Sequence, residues 1–566
     1  MGDGMIFTVL TSTHNRCDTL ERAFDSLRAQ DFPAFEWLVV DDGSQDSTGA
    51  LIERLRAQSP FPVRYLHQEN LGKHVAWNRG AVAAHGELIV NLDSDDALAP
   101  GALSRLWSLW NDIPESDRSS FVGVTGLCVG TDGQVMGDRF PRSPFDSDLA
   151  TVGLKLNIKG DKAGFVRREV VLEHPFPEPS HTKFMPEGRT GIEIARFFKT
   201  RFVNDVILVI HADGGARLSA LGRLNRAYGD LEYNRYALNQ YGDELTGHPF
   251  TIAKLAALVV RAGLLLGLRP SEIVRSMQGG RSRIAATLML PLGAALYVRD
   301  MTRALGELGP LIAISRGLPR LRLARRAANA IRRFYVRKER PVIEVPVLDF
   351  IMALEPNECV DGWALFYPQL FDWREIDFLV KSTPPDGVFV DVGANIGFYS
   401  LRLSRHLRSG KILAIEADPY NAKKLGRNVS LSNARNVMVF EGGVADREMT
   451  LSLNINTTGN RGGNSFAVDG RSDSVMVPCR PLGEIVAQYG LSHIDSMKLD
   501  IEGFEFPVLR AFFEETPRKL WPRAMVIEVE PSLAIASSGD VLGLLCDRGY
   551  RECGRADANV MLVLES

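Results

Sequence analysis

GELIVNLDSDD, residues 86–96, runs an apolar stretch, Leu88-Ile89-Val90, straight into three carboxylates, Asp93, Asp95 and Asp96. The same arrangement recurs upstream. MIFTVLT (5–11) leads into Ser12-Thr13-His14-Asn15, EWLVVDD (36–42) ends in Asp41-Asp42 before Gly43-Ser44, and PVRYLHQ (62–68) is a further short apolar run. A helical pattern at 18–30 separates the first two. Strands alternating with helices predict an α/β domain with a mostly parallel, doubly wound sheet. Ligands bind such sheets beyond the carboxyl ends of the strands, and each polar cluster falls at such an end. Carboxylates as close as Asp93–Asp96 repel one another and need an offset. A divalent cation, the N-terminus of a following helix or plain solvation would each provide one.

The chain of 566 residues is long enough for two or more domains. Its composition is that of a globular protein, 45% apolar and 24% charged, with a formal net charge of −3. That balance hides a basic block: residues 251–340 hold 18 Lys/Arg against four Asp/Glu. Such a block attracts an anionic partner. Within it, PRLRLARRAANAIRRFYVRK (319–338) is amphipathic, with Leu321, Ala324, Ala328, Ile331 and Tyr335 on one helical face and arginines largely on the other. It fits an anionic membrane surface or an interdomain helix; no nucleic-acid motif accompanies it. Six scattered cysteines without a CxxC pair argue against a zinc site or a disulfide framework. No signal peptide and no transmembrane helix are expected, which points to the cytoplasm, with a peripheral place on the inner face of the cytoplasmic membrane.

At the first domain's strand ends, Ser12 and His14 can line a base or ribose pocket, and Asp41 or Asp42 can accept from a nucleobase N–H. Asp93 and Asp95, at i and i+2, can hold a hard cation through oxygen. Mg2+ or Mn2+ there would neutralise a departing diphosphate. TSTHNR (11–16), VVDDGSQDST (39–48), ENLGKHVAWNRG (69–80) and NLDSDD (91–96) together resemble glycosyltransferase family 2, with the GT-A fold, over residues 5–215. The resemblance implies inverting transfer of a sugar from a nucleoside-diphosphate sugar. Ser12, His14, Asp41 or Asp42, Asp95 and Asp96 would bind that donor, and Asp93 and Asp95 the metal. Inversion needs a general base on the acceptor hydroxyl. FMPEGRTGIEIARFF (184–198) offers Glu187 at a predicted helix start, with Glu193 as the alternative; Gly188 departs from the family's common Glu-Asp pair. His211, ending VILVIH, is a further candidate metal or phosphate contact.

A second alternating pattern begins near residue 346. DVGANIG (391–397) follows the apolar Val388-Phe389-Val390, a glycine turn into a helix but not the dinucleotide G-x-G-x-x-G. Glu416 ends the next strand, placed to bind a ribose diol. With no phosphate site required, S-adenosylmethionine suits this turn better than NAD. FVDVGANIGFYSL (389–401), AIEADPYN (414–421), MKLDIEGFE (497–505) and VIEVEPS (526–532) resemble the FkbM-like methyltransferases, a class I methyltransferase fold, over residues 346–560. The resemblance implies that Asp391, Gly393, Asn395 and Gly397 cradle the methionine part, Glu416 the ribose, and Asp446 the adenine. Asp500 and Glu502 would stand beside the sulfonium. The base for an oxygen acceptor would come from Asp500, Glu502 or Glu528, with Asp500 placed first.

The expectation is therefore two doubly wound, Rossmann-like domains, 1–220 and 346–566, joined by a helical basic segment, 221–345. It describes a bifunctional enzyme that adds a sugar to a glycan or lipid-linked acceptor and methylates a hydroxyl, in surface polysaccharide or glycolipid assembly. The alternative keeps only the methyltransferase active, with a sugar-binding first domain.

Overall fold

The structure, a computed structural model, describes residues 4–179, 182–211, 226–306, 308–317, 326, 329–330, 332, 341–455, 464, 466, 474–529 and 539–565. The chain divides into two compact units, Met1–Leu264 with Pro270–Ala295, and Leu265–Arg269 with Leu296–Ser566.

The first unit is built on strands β1 (Phe7–Thr13), β2 (Phe35–Asp42), β3 (Val63–Gln68), β4 (Leu88–Asn91), β5 (Ala97–Leu98), β6 (Phe121–Gly130), β7 (Phe145–Ser147), β8 (Lys162–Arg167) and β9 (Lys199–Ile210). They form one sheet in the order β3-β2-β1-β4-β8-β6-β9-β5, with β7 also on β9. The parallel reading holds for β1 to β4. Beyond them the sheet is mixed: β8 runs antiparallel to β4 and β6, and β5 and β7 antiparallel to β9. The connection between β6 and β8 holds β7 and a single helical turn, Thr151–Lys155, whereas a parallel return is usually made through a crossover helix.

β1 and β2 are buried on both faces and separate their side chains by parity. Phe7, Val9, Trp37 and Val39 enter one core with Phe24 and Leu103; Leu10, Leu38 and Val40 enter the other with Ala76 and Ile89. The helix Lys73–Ala83 packs so closely on β1 that a Cβ on Gly80 would lie 2.3 Å from Leu10 Cδ1.

The 221–345 segment is mainly helical where described, up to the start of a strand at Ile343, and is divided between the units. Helix Ala227–Tyr241 braces helix Glu187–Ile194: the Tyr241 hydroxyl donates to the Ile192 carbonyl at 2.7 Å, and the Arg189 guanidinium lies 3.8 Å from the Tyr236 ring centroid. The amphipathic stretch 319–338 lies almost entirely outside the described residues. Among those residues no single helix is long and apolar enough to cross a membrane; Gly280–Leu288 and Leu290–Leu305 meet that criterion only as a pair, bent by 54°.

The second unit opens with a hairpin, β10 (Ile343–Val347) and β11 (Phe350–Leu354). There follow β12 (Val388–Val392), β13 (Lys411–Glu416), β14 (Val437–Glu441), β15 (Gly443–Ala445), β16 (Met449–Asn454), β17 (Ser474–Pro481), β18 (Ser496–Leu499), β19 (Ala524–Glu528), β20 (Tyr550–Ala556) and β21 (Asn559–Leu564). The main sheet runs β14-β13-β12-β18-β19-β21-β20; its first five strands are parallel and β21 is antiparallel to both neighbours. This is the class I methyltransferase arrangement expected from the sequence. β15, β16 and β17 form a small separate sheet. In both units the first strand of the main sheet has parallel neighbours on each side, which puts the switch in winding direction, and the ligand crevice, at its carboxyl end.

Trp37 is fully buried, and its indole N–H donates to Thr11 Oγ1 at 3.0 Å. Trp37→Ala is expected to destabilise the first unit by about 3–5 kcal/mol, read as a lower urea midpoint for that transition with the second unit's transition unmoved.

Candidate functional site

The β1–β2 register sets Thr13 beside Asp41, so the first two polar clusters meet at one edge. Parity then sends the two acids of β2 to opposite faces. Asp41 accepts from the Ser44 backbone N–H at 2.8 Å and from the Tyr65 hydroxyl at 2.6 Å. Asp42 accepts from the Gln68 amide and from the backbone N–H groups of Leu71 and Gly72, at 2.7–2.8 Å. Asp42 therefore holds the 69–72 loop in place with internal donors. His14 sits over this edge, its Nδ1 2.9 Å from the Asp42 carbonyl and its Nε2 3.0 Å from the Asn70 amide. The Ser12 hydroxyl is buried with no hydrogen-bond partner among the described residues, as befits a group that awaits a ligand.

β4 stops at Asn91, opposite Leu10, and the chain turns sharply, the Asp96 N–H donating to the Asp93 carbonyl at 3.1 Å. The turn gathers Asp93, Asp95 and Asp96, one carboxylate oxygen from each lying within 4.8 Å of the others. β5 then pairs with the end of β9, which brings His211 next to Asp96: its backbone N–H donates to Asp96 Oδ1 at 3.0 Å. His211 is thus attached through its main chain at the edge of the carboxylate group.

Lys73 holds this cluster to the expected base. Its ammonium donates to Asp93 Oδ1 at 2.7 Å and to Glu187 Oε1 at 2.8 Å. Burial pulls the Lys73 pKa down, and the two carboxylates more than reverse it, leaving it well above the usual range. Burial likewise pushes Asp93 up, but the Lys73 charge prevails and holds it below its ordinary value. Glu187 opens its helix, directly after Pro186, where the helix dipole favours a negative charge. Glu193 is turned elsewhere, bonded to Arg189 at 2.6 Å and 3.7 Å from His174. Of the two candidate bases only Glu187 joins the cluster.

The second unit has an open cleft of about 880 Å³ at the carboxyl ends of β12, β13 and β18. Gly393, Asn395, Glu416, Asp500 and Glu502 line it, as do Tyr399, Phe466 and Lys498. Gly393 has φ +77°, and a Cβ there would lie 1.8 Å from the Asp500 carbonyl oxygen, so no other residue fits. Glu416 is nearly buried and accepts from the backbone N–H groups of Asn395 at 2.6 Å and Asp418 at 2.9 Å. Burial pushes its pKa up to about 7 against those two donors.

Three expected cofactor contacts are not in the cleft wall. Asp391 is fully buried beneath the turn, accepts from the Ser400 hydroxyl at 2.6 Å, and supports the turn from inside. Gly397 packs against Leu425. Asp446 directly follows β15, beyond the lining residues Gly443 and Val444. On the acceptor side Lys498 donates to Asp500 Oδ2 at 2.8 Å and lies 5.1 Å from the Tyr399 ring centroid. Asp500, Glu502 and Glu528 bring carboxylate oxygens within 4.8 Å of one another. Burial, followed by the charge of Asp500, pushes Glu528 up to about 9, whereas Lys498 overcomes burial to hold Asp500 low. Of this pair, Asp500 stands in the cleft wall.

Sequence reasoning missed the two lysines. Each left a signal. Lys73 starts a helix, where the dipole disfavours a cation, so something else must hold it. Lys498 lies in a fully buried strand, two residues from Asp500 on the same face.

Comparison with known proteins agrees with this geometry. Residues 8–173 match the model of the family Glycosyl transferase family 2, and residues 391–552 that of the Methyltransferase FkbM domain. The chain is similar to the GalNAc(5)-diNAcBac-PP-undecaprenol beta-1,3-glucosyltransferase of Campylobacter jejuni, 36% identical over 123 residues, 22% of this chain and 38% of that protein. It is similar to the methyltransferase sdnD of Sordaria araneosa, 28% identical over 201 residues, 30% of this chain and 76% of that protein. The chain spans 58% or less of the length of the curated glycosyltransferases it matches. Among solved structures, the mannosyltransferase PcManGT of Pyrobaculum calidifontis in complex with GDP-Man and Mn2+ is similar at 19% identity and a TM-score of 0.33, over 55% of this chain and 86% of that one.

Two outcomes follow for the second unit. Between the ordinary glutamate value of 4.5 and about 7, the folded domain binds more protons at Glu416 than the unfolded chain does. The stabilising contribution is therefore complete below 4.5 and lost as pH rises through 7. Urea midpoints at pH 5 and 7.5 should fall more steeply for the wild type than for Glu416→Gln. Gly393→Ala is expected to lower that unit's stability by about 3 kcal/mol or more, since both the backbone angle and the Asp500 carbonyl oppose it.

Proposed function

Because residues 8–173 form a family 2 glycosyl transferase domain and residues 391–552 an FkbM methyltransferase domain, we propose that the protein performs two successive steps on one class of acceptor. The first unit moves a sugar, with inversion, from a nucleoside-diphosphate sugar to a glycan or lipid-linked acceptor. The second methylates a hydroxyl, on a sugar, from S-adenosylmethionine. The observation that carries the first reading is the joining of Asp93, Asp95, Asp96 and Glu187 around Lys73 at the edge of the parallel strands.

The residues present suit the groups this reading requires. Three carboxylates converging at a strand end form the hard oxygen set that Mg2+ or Mn2+ prefers. Such an ion, when bound, neutralises a departing diphosphate. Ser12 and His14 border the same edge and would contact the nucleotide, with Asp41 lying beneath it. Glu187 would take the acceptor's proton, and Lys73 keeps that carboxylate aimed until the acceptor arrives. In the second unit, Glu416 would hold the ribose diol and the Asn395 turn the amino-acid end. S-adenosylmethionine supplies an activated methyl group when bound. Asp500, kept charged by Lys498 and standing in the wall, is placed to receive the acceptor proton.

The C. jejuni relative is named for a glucosyl transfer to an undecaprenol-linked glycan, which supports a lipid-linked acceptor here and surface glycan assembly as the setting. The site would then work at the cytoplasmic face of the membrane. Joining the two steps in one chain raises the local concentration of the first product at the second site.

Incubation of the full chain with a panel of nucleoside-diphosphate sugars and Mn2+ should release the nucleoside diphosphate. Asp95→Ala should abolish that release, and Glu187→Gln should slow transfer by about 10²–10⁴-fold with donor binding kept. Release undiminished in Asp95→Ala would refute the donor site. Calorimetry should show S-adenosylmethionine binding that is lost in Glu416→Ala and tightens from pH 6 to pH 8, because the diol donates to the ionised carboxylate.

A further inference from the structure

Residues 270–295 of the first unit carry an apolar surface that none of the chemistry above uses. In helix Gly280–Leu288 the inner face is made of small residues: Ser282 and Ala286 are buried, and the Ser282 hydroxyl donates to the Leu238 carbonyl at 2.9 Å. The outer face carries Ile284 and Leu288, which are 61% and 66% exposed. The helix ends at Leu288, and the next one begins at Leu290 after a 54° bend. There Gly293 fits so closely on Val260 that a Cβ would lie 2.4 Å away, which turns Leu292 outward at 50% exposure. Ile284 and Leu288 are spaced four apart and share one side of their helix, and Leu292 is exposed just beyond the bend. Large apolar side chains scattered singly on a surface need no explanation; a run of three does.

The charge around the stripe identifies what it meets. Arg275 and Arg283 are exposed, Arg281 is exposed and pairs with Asp243 at 3.1 Å, and Glu272 is the single acid between residues 270 and 295. Apolar side chains flanked by arginines fit a bilayer with anionic headgroups: the apolar groups enter the acyl boundary and the cations stay among the phosphates. The pair bends by 54° and its inner face is packed on the protein, so one side alone is open to a partner.

We propose that the stripe Ile284–Leu288–Leu292 docks the protein on an anionic lipid surface. Resting on the reading of a lipid-linked acceptor, this contact holds the sugar-transfer unit where such an acceptor is anchored.

The test is flotation of the full-length protein with vesicles. Vesicles of phosphatidylcholine with about one-third phosphatidylglycerol should carry the protein, and pure phosphatidylcholine vesicles about tenfold less. Leu288→Asp should reduce binding about tenfold, Ile284→Asp with Leu292→Asp should do the same, and high salt should weaken the wild type. Circular dichroism and nucleoside-diphosphate sugar binding with Mn2+ should be unchanged in these variants, which shows that they remain folded. Three results would overturn the proposal: no binding to anionic vesicles, undiminished binding by folded Leu288→Asp, or a dimer by light scattering that Leu288→Asp splits. Vesicle binding without any nucleotide release from sugar donors would count against the transferase reading and leave the docking surface standing.

Discussion

Carboxylates packed at the carboxyl edge of a sheet must be neutralised, and both units meet that constraint with a lysine, partly buried in the first and buried in the second. In the first, Lys73 spans Asp93 and Glu187; in the second, Lys498 holds Asp500. Desolvation alone would lower the pKa of either lysine, and the neighbouring acids more than reverse it. Asp93 and Asp500 in turn are held below their ordinary value by the lysine charge, against burial. Each site is thus a compact alternation of charges whose members depend on one another. The rest of the fold, from strand register to helix placement, serves to bring those charges within reach.

Much of this was legible in the amino-acid sequence because parallel strands impose simple rules. Apolar runs ending in acids located the ligand edge, and parity along β2 separates Asp41 from Asp42 without any structure. The glycine turn before Glu416 and the second alternating pattern marked the other unit. The mixed half of the first sheet was not legible, since β6, β8 and β9 carry the same apolar signal whichever way they run. The lysines were missed for a different reason: a reading that looks for ligands of a substrate passes over the groups that prepare those ligands.

Several motif residues prove to be architecture. Asp42 builds the loop that follows β3, and Asn78 ties the helix Lys73–Ala83 to Phe176 through both its amide oxygen and nitrogen. Asp391 lies under its turn and Gly397 packs on Leu425. A motif is retained as a whole because the chemistry needs its frame, so its letters alone do not separate contact from support. Burial and hydrogen-bond direction do.

Helix Ala227–Tyr241 grips the short helix that begins with Glu187, through a hydroxyl on Ile192 and an arginine stacked on a tyrosine. That clasp lies well downstream in the chain from the nucleotide edge. Sequence drift in it would tilt Glu187 while leaving the turn that gathers Asp93, Asp95 and Asp96 in place. The orientation of that acid is therefore set from a region that no motif marks.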